Sequence, residues 1–260
     1  MPLSWQKSGF CLLFPMPQYD FRSPRLYVEA PLYQGASVAL NRQQTHYLAT
    51  VLRLRAGSRV LVFNGCDGEW AASLTLQRRG AALAINEQTR KQTPGGDLHY
   101  LFAPLKAARL DYMVQKAVEM GVSRLQPVLT RHGQVARINL DRVHANAVEA
   151  AEQCGILSLP DIAPPASLSD LIAAWHGPRR LIFCDEGAEV SDPIAALRGL
   201  PRAPLAVLIG PEGGFAEDER AALLGLPNVV RLSLGPRILR ADTAAVAALA
   251  VVQAVIGDWR

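Results

Sequence analysis

Leu208-Ile209-Gly210-Pro211-Glu212-Gly213-Gly214-Phe215 is an apolar run that turns sharply at Gly-Pro-Glu-Gly-Gly. The segment behind it, Glu217–Leu224, reads as a helix with Glu217, Asp218 and Glu219 in its first turn, where the helix dipole favours negative charge. Strand, glycine turn and helix in that order form the repeating unit of an open α/β sheet, and such sheets bind ligands at the carboxyl ends of their strands. Glycines at a strand end let main-chain groups approach a ligand closely. The same turn also serves as a tight strand-to-helix connection with no ligand, and the turn alone does not separate the two readings. It has neither the Gly-Lys-Ser/Thr of a phosphate-binding loop nor the G-x-G-x-x-G dinucleotide pattern, which counts against both of those cofactor classes.

A second segment has the same design. Leu232-Ser233-Leu234-Gly235-Pro236-Arg237-Ile238-Leu239-Arg240-Ala241-Asp242-Thr243-Ala244 is a strand, another Gly-Pro, and a loop into a helix over Thr243–Ile256, with Asp242 expected as its cap. Two such loops after two successive strands can line one pocket. Arg237 and Arg240 beside it favour an anionic substrate, although an arginine in a loop is often only solvated.

Working outward, the spacing predicts strands at Leu98–Ala103, Arg124–Leu129, Leu181–Cys184, Leu205–Ile209 and Val229–Leu234. Helices are expected at Lys106–Met120, Asp141–Cys154 and Ser167–Trp175. Strands alternating with helices give a mostly parallel sheet. Before Lys91 the character differs. Arg25–Ala30, Ser37–Leu40, Arg59–Phe63, Glu69–Leu76 and Ala81–Asn86 read as short strands, with one helix at Gln43–Leu52 capped by Asn41. That pattern suggests a small β-barrel. Lys91–Asp97, polar and containing Pro-Gly-Gly, reads as a linker. The domains are therefore a barrel at 19–90, a linker at 91–97 and an α/β unit at 98–260, with residues 1–18 expected to be a disordered extension.

The chain has 260 residues and a net charge of +4, so a polyanionic partner is permitted but not required. Its four cysteines are scattered without a C-x-x-C pair and its five histidines without an H-x-x-x-H pair; reduced thiols and no metal site are expected. No apolar run reaches the length of a membrane span, and a cytoplasmic location is expected.

The paired segments GPEGGF and LSLGPRILRADTAA resemble the RsmE-type methyltransferases, which methylate N3 of a uridine in small-subunit ribosomal RNA with S-adenosylmethionine. The resemblance runs from Tyr19 over most of the chain. It includes RLYVEAP (25–31), HYLATVLRLRAG (46–57), KAARLDYMVQKAVEMGVSRLQPV (106–128) and EAAEQCG (149–155). It implies a PUA-like β-barrel for RNA, followed by a SPOUT α/β domain with a C-terminal trefoil knot, and a homodimer.

Carried onto matching positions, the resemblance implies that Gly210, Glu212, Gly213 and Gly214 form the first cofactor loop. Leu234, Gly235, Ile238, Leu239, Arg240 and Thr243 form the second, Leu232 and Leu234 contact the adenine, and Phe183 and Cys184 wall the pocket. Methyl transfer to a uracil nitrogen requires the N3 proton to leave and spreads negative charge onto the flanking oxygens. A permanently cationic arginine suits that charge, so Arg240, and after it Arg237, are the expected catalytic residues. Glu212 is either a turn carboxylate or an orienting group. The basic residues Arg22, Arg25, Arg53 and Arg55 of the barrel, with Lys106 and Arg109 at the start of a helix, are the expected RNA contacts, as against solvated surface charge. Glu149, Glu152 and Gln153 share one helix face, for which a structural or interface role is favoured.

Overall fold

The computed structural model describes residues 20, 22–78, 80–135, 137–189 and 191–259. The expected extension at 1–18 therefore lies outside the described residues.

The N-terminal part contains β1 (Arg25–Tyr27), β2 (Ser37–Ala39), α1 (Arg42–His46), β3 (Arg59–Phe63), β4 (Glu69–Gln77) and β5 (Gly80–Arg90). The strands form one sheet in the order β1-β3-β4-β5-β2, with β1 parallel to β3 and the other pairs antiparallel. Asn41 caps α1 as expected: its side chain accepts from the Gln44 N–H, and the Gln44 side chain accepts from the Asn41 N–H in return. The helix then widens into a π-turn over Tyr47–Val51 that buries Leu48. Strand β5 runs four residues beyond the expected Asn86. Its polar second half pairs with the start of β4 across register shifts at Glu69/Trp70 and Ala71/Ala72, so main-chain pairing rather than apolar alternation carries it.

Lys91–Asp97 has no regular structure. Beyond it come β6 (Leu98–Phe102), α2 (Ala107–Glu119), β7 (Arg124–Leu129), α3 (Leu140–Cys154), β8 (Asp161–Ile162) and β9 (Ala166–Ser167). The chain continues with α4 (Leu168–Ala173), β10 (Arg180–Cys184), α5 (Pro193–Leu197), β11 (Leu205–Ile209), α6 (Glu217–Leu224), β12 (Val229–Leu232) and α7 (Ala241–Val255). The sheet is parallel throughout, in the order β12-β10-β11-β6-β7-β8, with β9 on β7. All five residues of β11 are buried, as befits a strand covered on both faces.

Apolar residues of α2, α3, α5 and α7 pack against one face, and those of α4 and α6 against the other. In α2, Leu110, Met113, Val114, Ala117 and Val118 are buried at helical spacing. Each large side chain so buried contributes about 1.5–3 kcal/mol. Helix α3 ends at Gly155 with φ 69°, a left-handed conformation that glycine adopts without strain.

One helix start differs from expectation. Arg240, not Asp242, is the N-cap of α7; Asp242 lies inside the first turn, and its carboxylate accepts from the Thr243 N–H. The dipole stabilises an acidic residue at either place, so composition alone does not separate cap from first turn.

Candidate active site

The last residues of three adjacent strands lie side by side, Cys184 of β10 being in register with Ile209 of β11 and with Leu232 of β12. The loops that leave them, Asp185–Ala188, Gly210–Phe215 and Ser233–Arg240, therefore rise from one row and enclose a cavity of about 720 Å³. That size suits a cofactor or drug-sized ligand. Cys184, Ile209 and Leu232 line its floor. Burial pushes the Cys184 thiol up to about 12, so it stays protonated and acts as an apolar wall.

Most of the expected cofactor residues meet here. Gly210, Glu212, Gly214, Leu232, Leu234, Gly235, Ile238, Leu239 and Arg240 all line the cavity. Gly214 has φ 67°, and a Cβ there would fall 2.2 Å from Glu186 Oε1. A Cβ on Gly210 would fall 2.4 Å from the Phe215 ring. At Gly210 the Phe215 ring leaves no room for a Cβ; at Gly214 the left-handed φ strains any other residue and the Glu186 side chain would have to move. Three expected residues lie outside the lining. Phe183 is fully buried behind it, edge-on to Phe215 at 5.3 Å. Gly213 faces the Cβ of His132, whose Nδ1 is 3.2 Å from the Gly213 carbonyl oxygen. Thr243 is exposed on the first turn of α7.

The third loop was missed in the sequence. Asp185, Glu186, Gly187 and Ala188 line the cavity from the strand between those that carry the two glycine-proline loops. The signal was an apolar strand, Leu181–Cys184, running into Asp-Glu-Gly, the same strand-to-turn pattern without a proline to mark it. Asp185 fixes this loop. Its carboxylate accepts from Arg220 Nε at 3.0 Å and from Arg231 Nε at 2.5 Å, and both arginines also donate to the Gly187 carbonyl. Burial by itself would raise the Asp185 carboxyl, but the Arg220 and Arg231 hydrogen bonds outweigh it and hold the group below the usual carboxylate range.

Charge is distributed unevenly around the rim. Arg237 and Arg240 are exposed at the cavity edge. Across from them Arg109, in the first turn of α2, forms an ion pair with Glu212. Lys106, the N-cap residue of α2, is exposed just outside.

The other expected RNA contacts divide. Arg22, Arg53 and Arg55 are exposed, and Arg53 has a positive φ of 54°. Arg25 is not at the surface: its side chain is 9% exposed and bonds Glu69 and main-chain carbonyls of α3. That placement spends its donors inside the protein. Lys116 and Glu119 pair along α2 at 2.6 Å. Glu152 accepts from the Tyr27 N–H at 2.8 Å, which agrees with the structural role favoured for that helix face. Among the described residues no group of three or more metal-ligating side chains occurs, and no helix is long and apolar enough to cross a membrane.

The fold and site define a class. The RNA methyltransferase domain matches residues 91–253 and the RNA methyltransferase PUA domain matches residues 40–84, so the chain belongs to the RNA methyltransferase family. Within that family it is a member of the group named ribosomal RNA small subunit methyltransferase E. The Rickettsia conorii protein of that name is 29% identical, the match covering 88% of this chain and 94% of the relative. The Synechocystis protein of that name is 30% identical, over 89% of this chain and 78% of the relative. Among solved structures, the Neisseria gonorrhoeae protein of the same name, bound to S-adenosylmethionine, superposes with a TM-score of 0.77 at 26% identity, covering 92% of this chain and 100% of the other. A Legionella pneumophila protein solved in complex with the same cofactor gives 0.76 at 28% identity, covering 90% of this chain and 98% of the other.

Proposed function

We propose that this chain methylates N3 of a uridine in small-subunit ribosomal RNA, with S-adenosylmethionine as donor. The observation that carries the reading is the convergence of three strand-end loops on one glycine-walled cavity with Arg237 and Arg240 at its edge. The fit to the cofactor rests on the cavity itself, about 720 Å³ over Cys184, Ile209 and Leu232, with Gly210, Gly214 and Gly235 in the loops around it, where main-chain groups can approach a ligand closely. When bound, the cofactor supplies an electrophilic methyl group. Everything else falls to the protein. The loops hold the donor in one orientation, and alignment of nucleophile with methyl carbon supplies several kcal/mol. Arg240, backed by Arg237, faces the carbonyl oxygens on which charge gathers as the N3 proton leaves. Cys184, being protonated, takes no part in that proton transfer.

The finer architecture belongs to the same proposal. The N-terminal sheet, β1 to β5, closes into a PUA-like barrel within the domain expected at 19–90 and presents Arg22, Arg53 and Arg55 to RNA phosphate, with Lys106 and Arg109 nearer the cavity. The C-terminal part of the α/β domain threads a trefoil knot, and two copies pair in the cytoplasm as a homodimer, a state that sedimentation velocity reads directly.

Undermethylated small subunits incubated with labelled cofactor, followed by nucleoside mass spectrometry, test the activity. The expected product is N3-methyluridine; a ribose-methylated product or none overturns the reading. In the same assay Arg240→Ala is expected to bind cofactor near normally and to lose about 100-fold or more in turnover. An unchanged rate removes Arg240 from the chemistry.

A further inference from the structure

A helix leaves the carbonyls of its last turn without intrahelical partners, and its dipole makes that end negative. Helix α3 ends against the N-terminal sheet, and two arginines of that sheet donate to carbonyls of its last turn and of the residues just beyond it. Arg25 Nη1 donates to the carbonyls of Ala151 at 2.5 Å and Glu152 at 3.0 Å, and Nη2 donates to Ile156 at 3.2 Å. Arg90 Nη2 donates to the Gly155 carbonyl at 2.9 Å.

Two guanidiniums this close repel one another unless a carboxylate lies between them, and Glu69 does. It accepts from Arg25 Nε at 2.8 Å, from Arg90 Nε at 3.0 Å and Nη2 at 2.6 Å, and from Thr89 Oγ1 at 2.9 Å. The Glu69 side chain is 5% exposed. The register shift in the β4–β5 pair falls at Glu69/Trp70 and sets Glu69 opposite Arg90. Burial would raise the Glu69 carboxyl, but the Arg90 contacts and those from Thr89 and Arg25 hold it below its ordinary value. Arg25 also lies 4.5 Å over the Phe63 ring.

The same helix is bonded to one that borders the cavity. Arg142 and Asn146 of α3 bond Asp111 of α2, and α2 carries Arg109 at the cavity rim against Glu212. The sheet is thus bonded to α3, and α3 to the helix whose first turn borders the site.

We propose that Glu69, with Arg25 and Arg90, is a positioning joint that fixes the N-terminal sheet at one angle to the cavity, so that RNA held on the sheet delivers its nucleotide to the methyl donor. The proposal rests on the functional reading above, in that RNA spans both units. Glu69 touches neither substrate nor cofactor. Its loss removes the carboxylate that the two guanidiniums share, and the sheet loses its single orientation while the cavity keeps its walls.

Glu69→Gln in the full-length chain is the test, measured on undermethylated small subunits. A rise of about tenfold in KM is expected, with kcat and cofactor affinity by calorimetry each within about twofold of wild type. A role confined to stability instead lowers the melting temperature and the active fraction, reducing kcat at unchanged KM, and that result overturns the proposal. Arg90→Lys keeps the charge but not the forked reach to Glu69 and Gly155; it is expected to give a smaller KM rise, and serves in place of Glu69→Gln should that variant not fold. An orientation readout stands apart from activity. Dyes on the exposed Cys66 and at Glu217→Cys, with Cys11→Ser and Cys154→Ser in the same chain, are expected to give a broader distance distribution in the variant than in the parent. An unchanged distribution overturns the joint, whereas a wild-type chain inactive on small subunits overturns the functional reading alone.

Discussion

Gly214 and His99 are single residues whose surroundings dictate what a substitution does. Gly214 combines a left-handed φ with a neighbour, Glu186, where a Cβ would sit. Gly214→Ala incurs about 1–2 kcal/mol of backbone strain and displaces the Glu186 carboxylate that borders the cavity. Cofactor affinity by calorimetry is expected to fall more than about tenfold. Gly213→Ala, which meets only the flank of His132, is expected to lose much less, so equal losses at the two positions would show that the lining is misassigned. His99 is held neutral: burial, then the nearby Arg179, lower it from 6.5 to about 4. The unfolded chain takes up a proton below 6.5 that the folded chain refuses, so stability falls as pH drops from 6.5 toward 4. At about 1.4 kcal/mol per pH unit, the loss between pH 7 and pH 4.5 is about 2–3 kcal/mol. Urea denaturation at those two pH values is expected to show it in the parent and not in His99→Gln. Below 4.5 the Glu69 carboxylate adds a loss of the same sign, because its stabilisation is complete above its unfolded value and fades as pH falls through its lower folded one.

At the scale of elements, caps and stops were the most readable features. Asn41 caps α1, Ser167 caps α4 through the Asp170 N–H, and Gly155 ends α3, each as its local chemistry requires. Asn41→Ala is expected to lower stability by about 1 kcal/mol in thermal denaturation and to leave cofactor binding unchanged, since no residue of α1 lines the cavity. What escaped reading depended on distant partners. The polar end of β5 is a strand because β4 pairs with it, not because of its own residues. Helix α5, with Asp192 as cap and Pro193 in its first turn, is a five-residue element too short for a periodic signal. Arg25 looked like a surface cation because Glu69 and the end of α3, which hold it, are 44 and more than 120 residues away.

For the whole molecule, the alternation of strand and helix after Asp97 was enough to call for a parallel sheet, and the structure has one. Strand order was not legible. It places β10 between β12 and β11, and only that order brings Asp185–Ala188 against the two glycine-proline loops. A loop without proline or paired glycine gives no hint of its neighbours, which is why two loops of the cavity were found in the sequence and, of the third side, only the strand end at Cys184. The contact between the two sheets was equally hidden, because it joins Arg25 and Arg90 to carbonyls, and every residue has a carbonyl.

That cavity is bounded by Gly187, Gly210, Gly214 and Gly235 and by the turns around them. An inhibitor gripping those peptide groups would meet a target with few escape routes. Exchanging side chains does not delete an amide, and replacing the crowded glycines shuts out the natural ligand together with the drug. Resistance in a cell that needed this enzyme would then have to arise outside the pocket, through efflux or overproduction.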